Sequence, residues 1–311
     1  MSAPPLSPLP QALGLGLDAG GTQTRWALAD GRGALLAEGH VAGLSGLQLA
    51  STAGRVALAQ TAHQLAFAVL PHGRPSGLYA GITGVGEAEG PAARQLKDLF
   101  SQALGLAPAA MVCGSDMDIA YRAAFAPGQG YLLYAGTGAI AAFIDNEGRM
   151  QRAGGRGPLL GDEGSGFWIA REALALVWRR EDETPGSWQG SPLARQLFEA
   201  IGGSDWAVTR QFVYAGERGA IGRLALAVAA AAEAQDPDAR ALLTRAGAEL
   251  ARLALALLRR YGPRPVVAAG RALQLHPLIT AGLRAALPAG TPFSVQDLQP
   301  HRTAAQLAAR L

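Results

Sequence analysis

Two short glycine turns in this chain have the residue types that bind phosphate. Residues 18–22 read DAGGT and residues 135–138 read AGTG. Each turn lies between two apolar segments with the composition of strands. A glycine has no Cβ atom, so its backbone can approach a phosphate closely and direct N–H groups toward it. Two such turns predict two lobes that close on one polyphosphate.

Two aspartates stand where acids would assist phosphoryl transfer. Asp18 lies two residues before the first glycine of the turn, where a carboxylate can hold a hydrated Mg²⁺. The alternative is a plain hairpin turn that uses Asp and Gly for their backbone angles. Asp116 follows an apolar segment ending at Cys113, where a carboxylate can accept the proton of an attacking hydroxyl group. The alternative is N-capping of the following helix by Ser115 or Asp116, whereas Asp118 is expected to be solvated.

The glycine-rich segment of residues 152–170 reads RAGGRGPLLGDEGSGFWIA. So many glycines cost backbone entropy and add little packing, which favours a ligand-contacting loop over a structural one. Asp162 or Glu163 could bind sugar hydroxyls or help to hold the metal. Residues 264–273 form an apolar strand that leads into Gly270. This strand is either an ordinary buried parallel strand or the approach to a turn beside adenosine.

The composition excludes several other functions. The single lysine, Lys97, is not in a Gly-Lys-Ser/Thr sequence, so there is no Walker-type nucleotide site. The single cysteine, Cys113, excludes an internal disulfide and multi-cysteine metal sites, and is expected to be a small buried filler. A net charge of +3 without a basic run gives no support for nucleic acid or a membrane as a partner.

The 311 residues form two similar halves. Strands are predicted at 13–17, 24–29 and 34–41 and again at 131–134, 139–144 and 149–153, each set followed by helices and further strands. We expect an N-terminal lobe over 13–114 and a C-terminal lobe over 115–311, with a final helix at about 301–311 that could pack back on the first lobe. Residues 1–12 are expected to be a disordered tail and not a signal peptide, which favours a cytoplasmic protein.

Five segments together resemble the BadF/BadG/BcrA/BcrD-type ATPase family, and within it the N-acetylglucosamine kinases and related aminosugar kinases. The resemblance implies an α/β, two-lobed, ribonuclease H-like fold of the actin and hexokinase type. Each lobe would be a mixed β-sheet flanked by helices, with a cleft between the lobes. The segments are LGLDAGGTQTR (15–25), SDMDIA (115–120), YAGTGAIAAF (134–143), GGRGPLLGDEGSGFWIA (154–170) and VVAAGRAL (266–273).

The resemblance also implies an activity and roles for residues. The activity would be transfer of the ATP γ-phosphoryl group to a sugar hydroxyl, with Mg²⁺ at Asp18, lobe closure and, in many members, a homodimer. Asp116 would be the catalytic base and would contact the sugar beside Gly155, Arg156, Gly157 and Asp162. The nucleotide would contact Asp18, Gly20, Gly21, Thr22, Gly136, Thr137, Gly138 and Gly270.

This sequence departs from the family pattern at three positions that contact sugar. The sugar-binding asparagine expected soon after Gly43 is missing, and Ser45 or Gln48 is the predicted substitute. Arg156 replaces a tryptophan of the glycine loop, which favours an acidic or phosphorylated substrate. Ala139 and Ile140 replace a polar pair. The resemblance therefore supports a kinase more strongly than it supports N-acetylglucosamine as the substrate.

Two other functions compete with the kinase. A sugar or nucleotide sensor would keep the fold without turnover, and the presence of all three acids, Asp18, Asp116 and Asp162, argues against it. A dehydratase-activating ATPase of the same family would need more than one cluster cysteine in each subunit, which Cys113 alone does not supply.

Overall fold

A computed structural model describes residues 12–86 and 89–311 of the chain. The contacts divide the chain into two compact units, Met1–Ala124 with Gln299–Leu311, and Phe125–Leu298. The tail expected over residues 1–12 lies outside the described residues except for Ala12.

The first unit is built on a five-stranded sheet in the order β3-β2-β1-β4-β5. Strand β1 pairs antiparallel with β2 and parallel with β4, so the sheet is mixed. Three helices follow these strands in the sequence. The elements are β1 (Leu13–Ala19), β2 (Gln23–Asp30), β3 (Leu35–Ala42), α1 (Thr52–Val69), β4 (Gly77–Ile82), α2 (Pro91–Leu104), β5 (Met111–Gly114) and α3 (Asp116–Ala124).

Local sequence explains where helix α1 begins and where helix α2 ends. The side chain of Ser51 accepts a hydrogen bond from the backbone of Gly54 and caps the start of α1. Helix α2 ends at Gly105, whose φ of +70° suits a residue without a Cβ atom. The apolar faces of both helices cover the sheet, and Cys113 is fully buried in this core, as expected of a small filler.

Helix α3 belongs to the first unit by its contacts, although the sequence analysis assigned residues 115–311 to the C-terminal lobe. The reason is close packing on β4. A Cβ atom added to Gly81 would lie 2.3 Å from a side-chain carbon of Ile119 in α3. The glycine thus lets α3 begin directly against the sheet. That contact joins residues far apart in the sequence.

The second unit repeats the same sheet. Its order, β10-β9-β6-β7-β8, has the antiparallel and parallel pairs of the first sheet in equivalent places. The prediction of two mixed sheets flanked by helices is therefore confirmed. The elements are β6 (Tyr131–Ala135), β7 (Ala139–Ile144), β8 (Met150–Gly154), α4 (Gly166–Glu183), α5 (Pro192–Ile201), α6 (Trp206–Ala215), α7 (Arg218–Arg223), α8 (Ala225–Glu233), α9 (Pro237–Tyr261), β9 (Val266–Ala269), α10 (Pro277–Ala286) and β10 (Phe293–Val295).

The last helix, α11 (Pro300–Ala308), lies in the first unit against β1. Two glycines of β1 make this approach possible. A Cβ atom on Gly14 would lie 2.0 Å from the backbone nitrogen of Ala309, and one on Gly16 would lie 2.1 Å from that of Ala305. Larger residues at these positions would push the helix off the sheet.

Helix α6 and the short strand β10 were not predicted from the sequence. Strand β10 has only three residues at a sheet edge, two of them exposed, which leaves little hydrophobic pattern to detect. Among the residues that the structure describes, no helix has the length and apolar character needed to cross a bilayer.

Candidate active site

Asp116 begins α3, immediately beyond the carboxyl end of β5. Its Oδ1 accepts a hydrogen bond from the backbone N–H of Met117 at 2.9 Å. Its Oδ2 accepts one from the hydroxyl group of Thr83 at 2.6 Å. The carboxylate is therefore fixed at the strand end, whereas the N-cap position is that of Ser115, whose hydroxyl oxygen also accepts from the Met117 N–H at 3.2 Å.

Thr83, which the sequence analysis did not single out, connects three segments of this site. Its backbone N–H donates to the carbonyl oxygen of Ala19 at the end of β1, at 2.9 Å. Its own carbonyl oxygen accepts from the backbone of Gly46 at 2.9 Å and from the hydroxyl group of Ser45 at 3.0 Å. Its side chain orients Asp116. The only local signal for Thr83 is its position just after a buried strand.

Asp18 lies near Asp116 at the same edge of the sheet. It pairs with Gly81 in the parallel β1–β4 ladder, and Gly81 pairs in turn with Gly114 of β5. Burial, followed by the negative charge of Asp116, raises the pKa of Asp18 to about 6, against an opposing effect of Arg25. The two carboxylates thus concentrate negative charge that a cation would relieve.

The first glycine turn is tightly packed on one side and open on the other. A Cβ atom on Gly43 would lie 2.2 Å from the carbonyl oxygen of Gly21, so the chain after β3 presses directly against the turn. By contrast, a Cβ atom on Gly21 would meet no heavy atom within 4 Å. Gly21 and Thr22 are exposed. The turn therefore has space on its outer side for a ligand.

Ser45 has an internal role in the structure. Its hydroxyl group donates to the Thr83 carbonyl oxygen and accepts from the backbone of Leu47, and the residue is 5% exposed. The side chain of Gln48 accepts from the backbone N–H of Ser45 at 2.8 Å, which completes a capping box. These bonds favour Ser45 and Gln48 as residues that position the loop and not as substitutes for the missing asparagine.

Asp118 corrects an expectation from the sequence. It is not simply solvated, because its Oδ2 accepts hydrogen bonds from the Tyr79 hydroxyl group at 2.6 Å and from Arg122 Nε at 2.9 Å. The bond from Tyr79 ties α3 to β4 beside Asp116, and the bond from Arg122 lies within α3. Asp118 therefore contributes to the framework that holds the catalytic candidate.

The second glycine turn joins β6 to β7 in the second unit. The backbone N–H of Gly136 donates to the carbonyl oxygen of Gly138 at 2.8 Å and closes the turn. The first turn of α4 is attached to it, since the Gly166 N–H donates to the carbonyl oxygen of Gly136 at 2.9 Å. A Cβ atom on Gly222 of α7 would lie 3.3 Å from Thr137 Cγ2, so α7 also packs on the turn.

Asp162 is held against this second turn. It is 3% exposed and has a φ of +61°, a left-handed conformation that is uncommon for a residue with a side chain. Its Oδ1 accepts a hydrogen bond from the backbone N–H of Ala139 at 3.2 Å. Its Oδ2 forms an ion pair with Arg218, a residue that the sequence analysis did not identify.

The remaining predicted residues of the second unit lie around the same hairpin. Gly155 donates its N–H to the carbonyl oxygen of Ala139 at 2.9 Å. Gly157 has open space at its Cβ position, and Arg156 between them is exposed. A Cβ atom on Gly270 would lie 2.3 Å from the carbonyl oxygen of Ala135, directly before the turn. Glu163, the alternative to Asp162, pairs with Arg252 of α9 at 3.1 Å.

The donor set fits a hydrated magnesium ion better than a metal held by protein alone. Residues 12–86 and 89–311 contain no group of three His, Cys, Asp or Glu side chains with metal-binding geometry. Mg²⁺ typically takes one or two carboxylates and completes its shell with water and phosphate oxygens. The carboxylate of Asp18, made electrostatically unfavourable by burial and by Asp116, matches that requirement.

The model of the BadF/BadG/BcrA/BcrD ATPase family matches residues 15–282, which include every predicted site residue. The chain belongs to this family. The resemblance that the five sequence segments predicted is thereby confirmed. The match covers most of both units, so it accounts for the repeated mixed sheet as well as for the two turns.

Solved structures and curated relatives agree with the family assignment. The chain resembles a candidate N-acetylglucosamine kinase from Chromobacterium violaceum, with 26% identity, a TM-score of 0.73 and coverage of 96% of this chain and 99% of the other. It is 35% identical over 69 residues to an N-acetylmuramic acid/N-acetylglucosamine kinase of Clostridium acetobutylicum, which is 22% of each chain. It is 43% identical over 54 residues to an N-acetyl-D-glucosamine kinase of Dictyostelium discoideum, which is 17% of each chain. The matched segments thus span only about a fifth of the curated relatives' length.

Proposed function

We propose that this protein is an ATP-dependent aminosugar kinase, which transfers the γ-phosphoryl group to a hydroxyl of an N-acetylglucosamine- or glucosamine-type sugar. The observation that carries the proposal is the carboxylate of Asp116. It is fixed at a strand end by Thr83 and Met117, and its neighbour Asp18 is a carboxylate suited to a cation. Family membership and the names of the relatives support the same activity.

In this proposal, Asp116 orients the sugar hydroxyl and accepts its proton. Phosphoryl transfer depends mainly on positioning and charge neutralisation, so a carboxylate of ordinary basicity is sufficient. The hydrogen bond from Thr83 occupies Oδ2 and restricts rotation of the side chain. Oδ1 accepts from the backbone N–H of Met117 at 2.9 Å and from the hydroxyl group of Ser115 at 3.2 Å, so both oxygens of the carboxylate are held in place.

The nucleotide would bind through backbone groups and one metal. Gly20, Gly21 and Thr22 in the first unit are the proposed phosphate contacts there, and Asp18 would hold Mg²⁺. When bound, the ion neutralises phosphate charge. In the second unit the proposed contacts are Gly136, Thr137 and Gly138, with Gly270 toward the adenosine. For the first turn, this assignment is supported by the open space at Gly21 and by the close packing of Gly43 behind it.

Sugar contacts are proposed for Gly155, Arg156, Gly157 and Asp162. Arg156 is exposed and could attract an acidic group on the sugar, and one relative is named for N-acetylmuramic acid, a carboxylated aminosugar. We expect the Arg156→Gln variant to lose activity on N-acetylmuramic acid several-fold more than on N-acetylglucosamine. Equal losses on both sugars would contradict a role for Arg156 in acid recognition.

We also propose a homodimer, which light scattering of the purified protein would test.

The test of the proposed activity is sugar-dependent ADP formation. We expect ADP release with N-acetylglucosamine or glucosamine, and a fall in kcat of about 10²- to 10⁴-fold in Asp116→Asn with little change in the KM for ATP. The matched control is Asp98→Asn, because Asp98 is exposed on α2 in the same unit. No ADP above background with any aminosugar would refute the kinase and favour the sensor.

The dehydratase-activating alternative is disfavoured by the state of the cysteine. Cys113 is fully buried, and burial raises the pKa of its thiol to about 12. A thiol so resistant to ionisation is a poor ligand for an iron–sulfur cluster. A purified protein that carries iron would contradict this argument.

A further inference from the structure

We propose that Arg218 is a nucleotide-binding residue: its guanidinium holds Asp162 against the Gly136–Gly138 turn and donates its remaining N–H groups to the terminal phosphates of ATP. This inference rests on the proposed function, since it extends the phosphate contacts of that turn. It adds a cationic side chain to the backbone donors of that turn.

The position of Arg218 is the first argument. A Cβ atom added to Gly138 would lie 2.5 Å from Arg218 Nη2, so the guanidinium touches the turn itself. Helix α7 brings it there, because Gly222 on the same helix packs on Thr137. The guanidinium also lies 6.0 Å from the ring centre of Phe167 at the start of α4. The turn, α4 and α7 together fix its location.

The unused donors are the second argument. Arg218 pairs with Asp162 through Nη2, and the Asp162 side chain is only 4% exposed. The Arg218 side chain is 42% exposed. A guanidinium group has five N–H donors, so one can hold the aspartate while others remain for a ligand. That arrangement is suited to a phosphate group.

The charge balance is the third argument. ATP brings several negative charges to a region that already contains buried Asp162. The chain has one lysine, Lys97, which forms an ion pair with Glu89 in the first unit. Arg218 contacts Gly138, so it places a positive charge at the second turn, and it also neutralises Asp162, which would otherwise repel the phosphates.

The experiment measures the binding of Mg-ATP and of adenosine by calorimetry, in the absence of sugar. For Arg218→Gln we expect ATP affinity to fall about 10- to 100-fold, because a charge-assisted hydrogen bond is lost. Adenosine affinity should stay within about twofold, because adenosine has no phosphate. Unchanged ATP affinity, or equal losses for both ligands, would overturn the proposal.

The matched control is Arg245→Gln. Arg245 lies in the same unit, pairs with Glu172 at 2.6 Å and stacks over Trp168 at 4.9 Å, much as Arg218 pairs with Asp162 and stacks on Phe167. It has no contact with the turn among those described, and its substitution should leave ATP affinity unchanged. A loss of ATP affinity as large as that of Arg218→Gln would overturn the assignment.

A double variant separates direct binding from neutralisation. If Arg218 contacts phosphate, ATP affinity stays low when Asp162→Asn is combined with Arg218→Gln. Full recovery in the double variant would overturn direct contact. Should Arg218→Gln not fold, Arg218→Lys carries the test. It is expected to weaken ATP binding about 3- to 10-fold because the donors of an ammonium group lie on one nitrogen and bridge two separated partners less well than a planar guanidinium, and an unchanged affinity would overturn the proposal.

Failure of this inference is distinguishable from failure of the proposed function. A wild-type protein that binds ATP but forms no ADP with aminosugars refutes the kinase, while the Arg218 comparison still decides its own question. A wild-type protein that does not bind ATP overturns both.

Discussion

Replacing Asp18 with asparagine should stabilise the protein without ligand and abolish its activity. The two side chains have similar size, so the substitution mainly removes a negative charge. In the folded protein that charge is unfavourable, because Asp18 is half-buried and lies near Asp116. The same charge is the proposed ligand of Mg²⁺, so stability and function should change in opposite directions.

The size of the effect follows from the pKa of Asp18, which rises from 3.8 to about 6 in the folded protein. Each pKa unit corresponds to about 1.36 kcal/mol. The ionised carboxylate therefore lowers the free energy of unfolding by at most about 3 kcal/mol. Below pH 3.8 the group is protonated in both states and has no effect. The free energy of unfolding of the wild-type protein should therefore fall, by at most about 3 kcal/mol, as the pH rises from about 4 to about 6.

The assay is urea-induced unfolding of wild type and Asp18→Asn at several pH values from about 4 to about 7.5. The difference in the free energy of unfolding should be small at the acidic end and reach about 2–3 kcal/mol in favour of the variant above pH 6.5. Asp98→Asn, on the exposed face of α2, is the control. A difference that does not change with pH, or one equally large for Asp98→Asn, would refute the reasoning.

Three further predictions concern the same unit. First, kcat/KM for Mg-ATP should fall as the pH drops below about 6, because protonated Asp18 cannot bind the metal; a flat profile to about pH 5 would contradict this. Second, Thr83→Val keeps the shape but removes the donor to Asp116, so steady-state kinetics should show kcat lowered about 10-fold with the KM for ATP unchanged; an unaltered kcat would exclude positioning by Thr83. Third, Gly43→Ala should destabilise by about 1–3 kcal/mol in urea titrations because its Cβ atom would lie 2.2 Å from the Gly21 carbonyl oxygen. Gly21→Ala, with open space at its Cβ position, should be near neutral in stability, and equal stability of the two variants would disprove the packing argument.

The sequence predicted those parts of the fold that depend on local patterns of residues. Strands of alternating or continuous apolar residues, interrupted by glycine turns, predicted β1 and β2 and again β6 and β7. Their repetition predicted two similar mixed sheets. The three-residue strand β10 is too short to show a pattern, and the helix α6 is rich in apolar residues but buries only Thr209, so its sequence has no apolar face that the fold uses.

The candidate site could likewise be predicted from the sequence only in part. Asp18, Asp116 and the two glycine turns could be proposed from the sequence because each lies at a strand end, a place that the local sequence indicates. The function of Ser45 was expected to be sugar binding, whereas its hydrogen bonds are internal. Sequence alone could not show that the hydroxyl group of Ser45 would donate to the carbonyl oxygen of Thr83, which lies 38 residues further along the chain.

The sequence by itself determined the kind of chemistry, because the residue types at the turns and strand ends set which groups can meet phosphate, metal and a hydroxyl proton. Tertiary structure alone decided which residues hold these groups in position. Thr83 reaches Asp116 and Arg218 reaches Asp162 across 33 and 56 residues of sequence. The helix α11 returns to glycines of β1 from the other end of the chain. Such partners are selected by packing over long separations, and no local pattern of side chains encodes them.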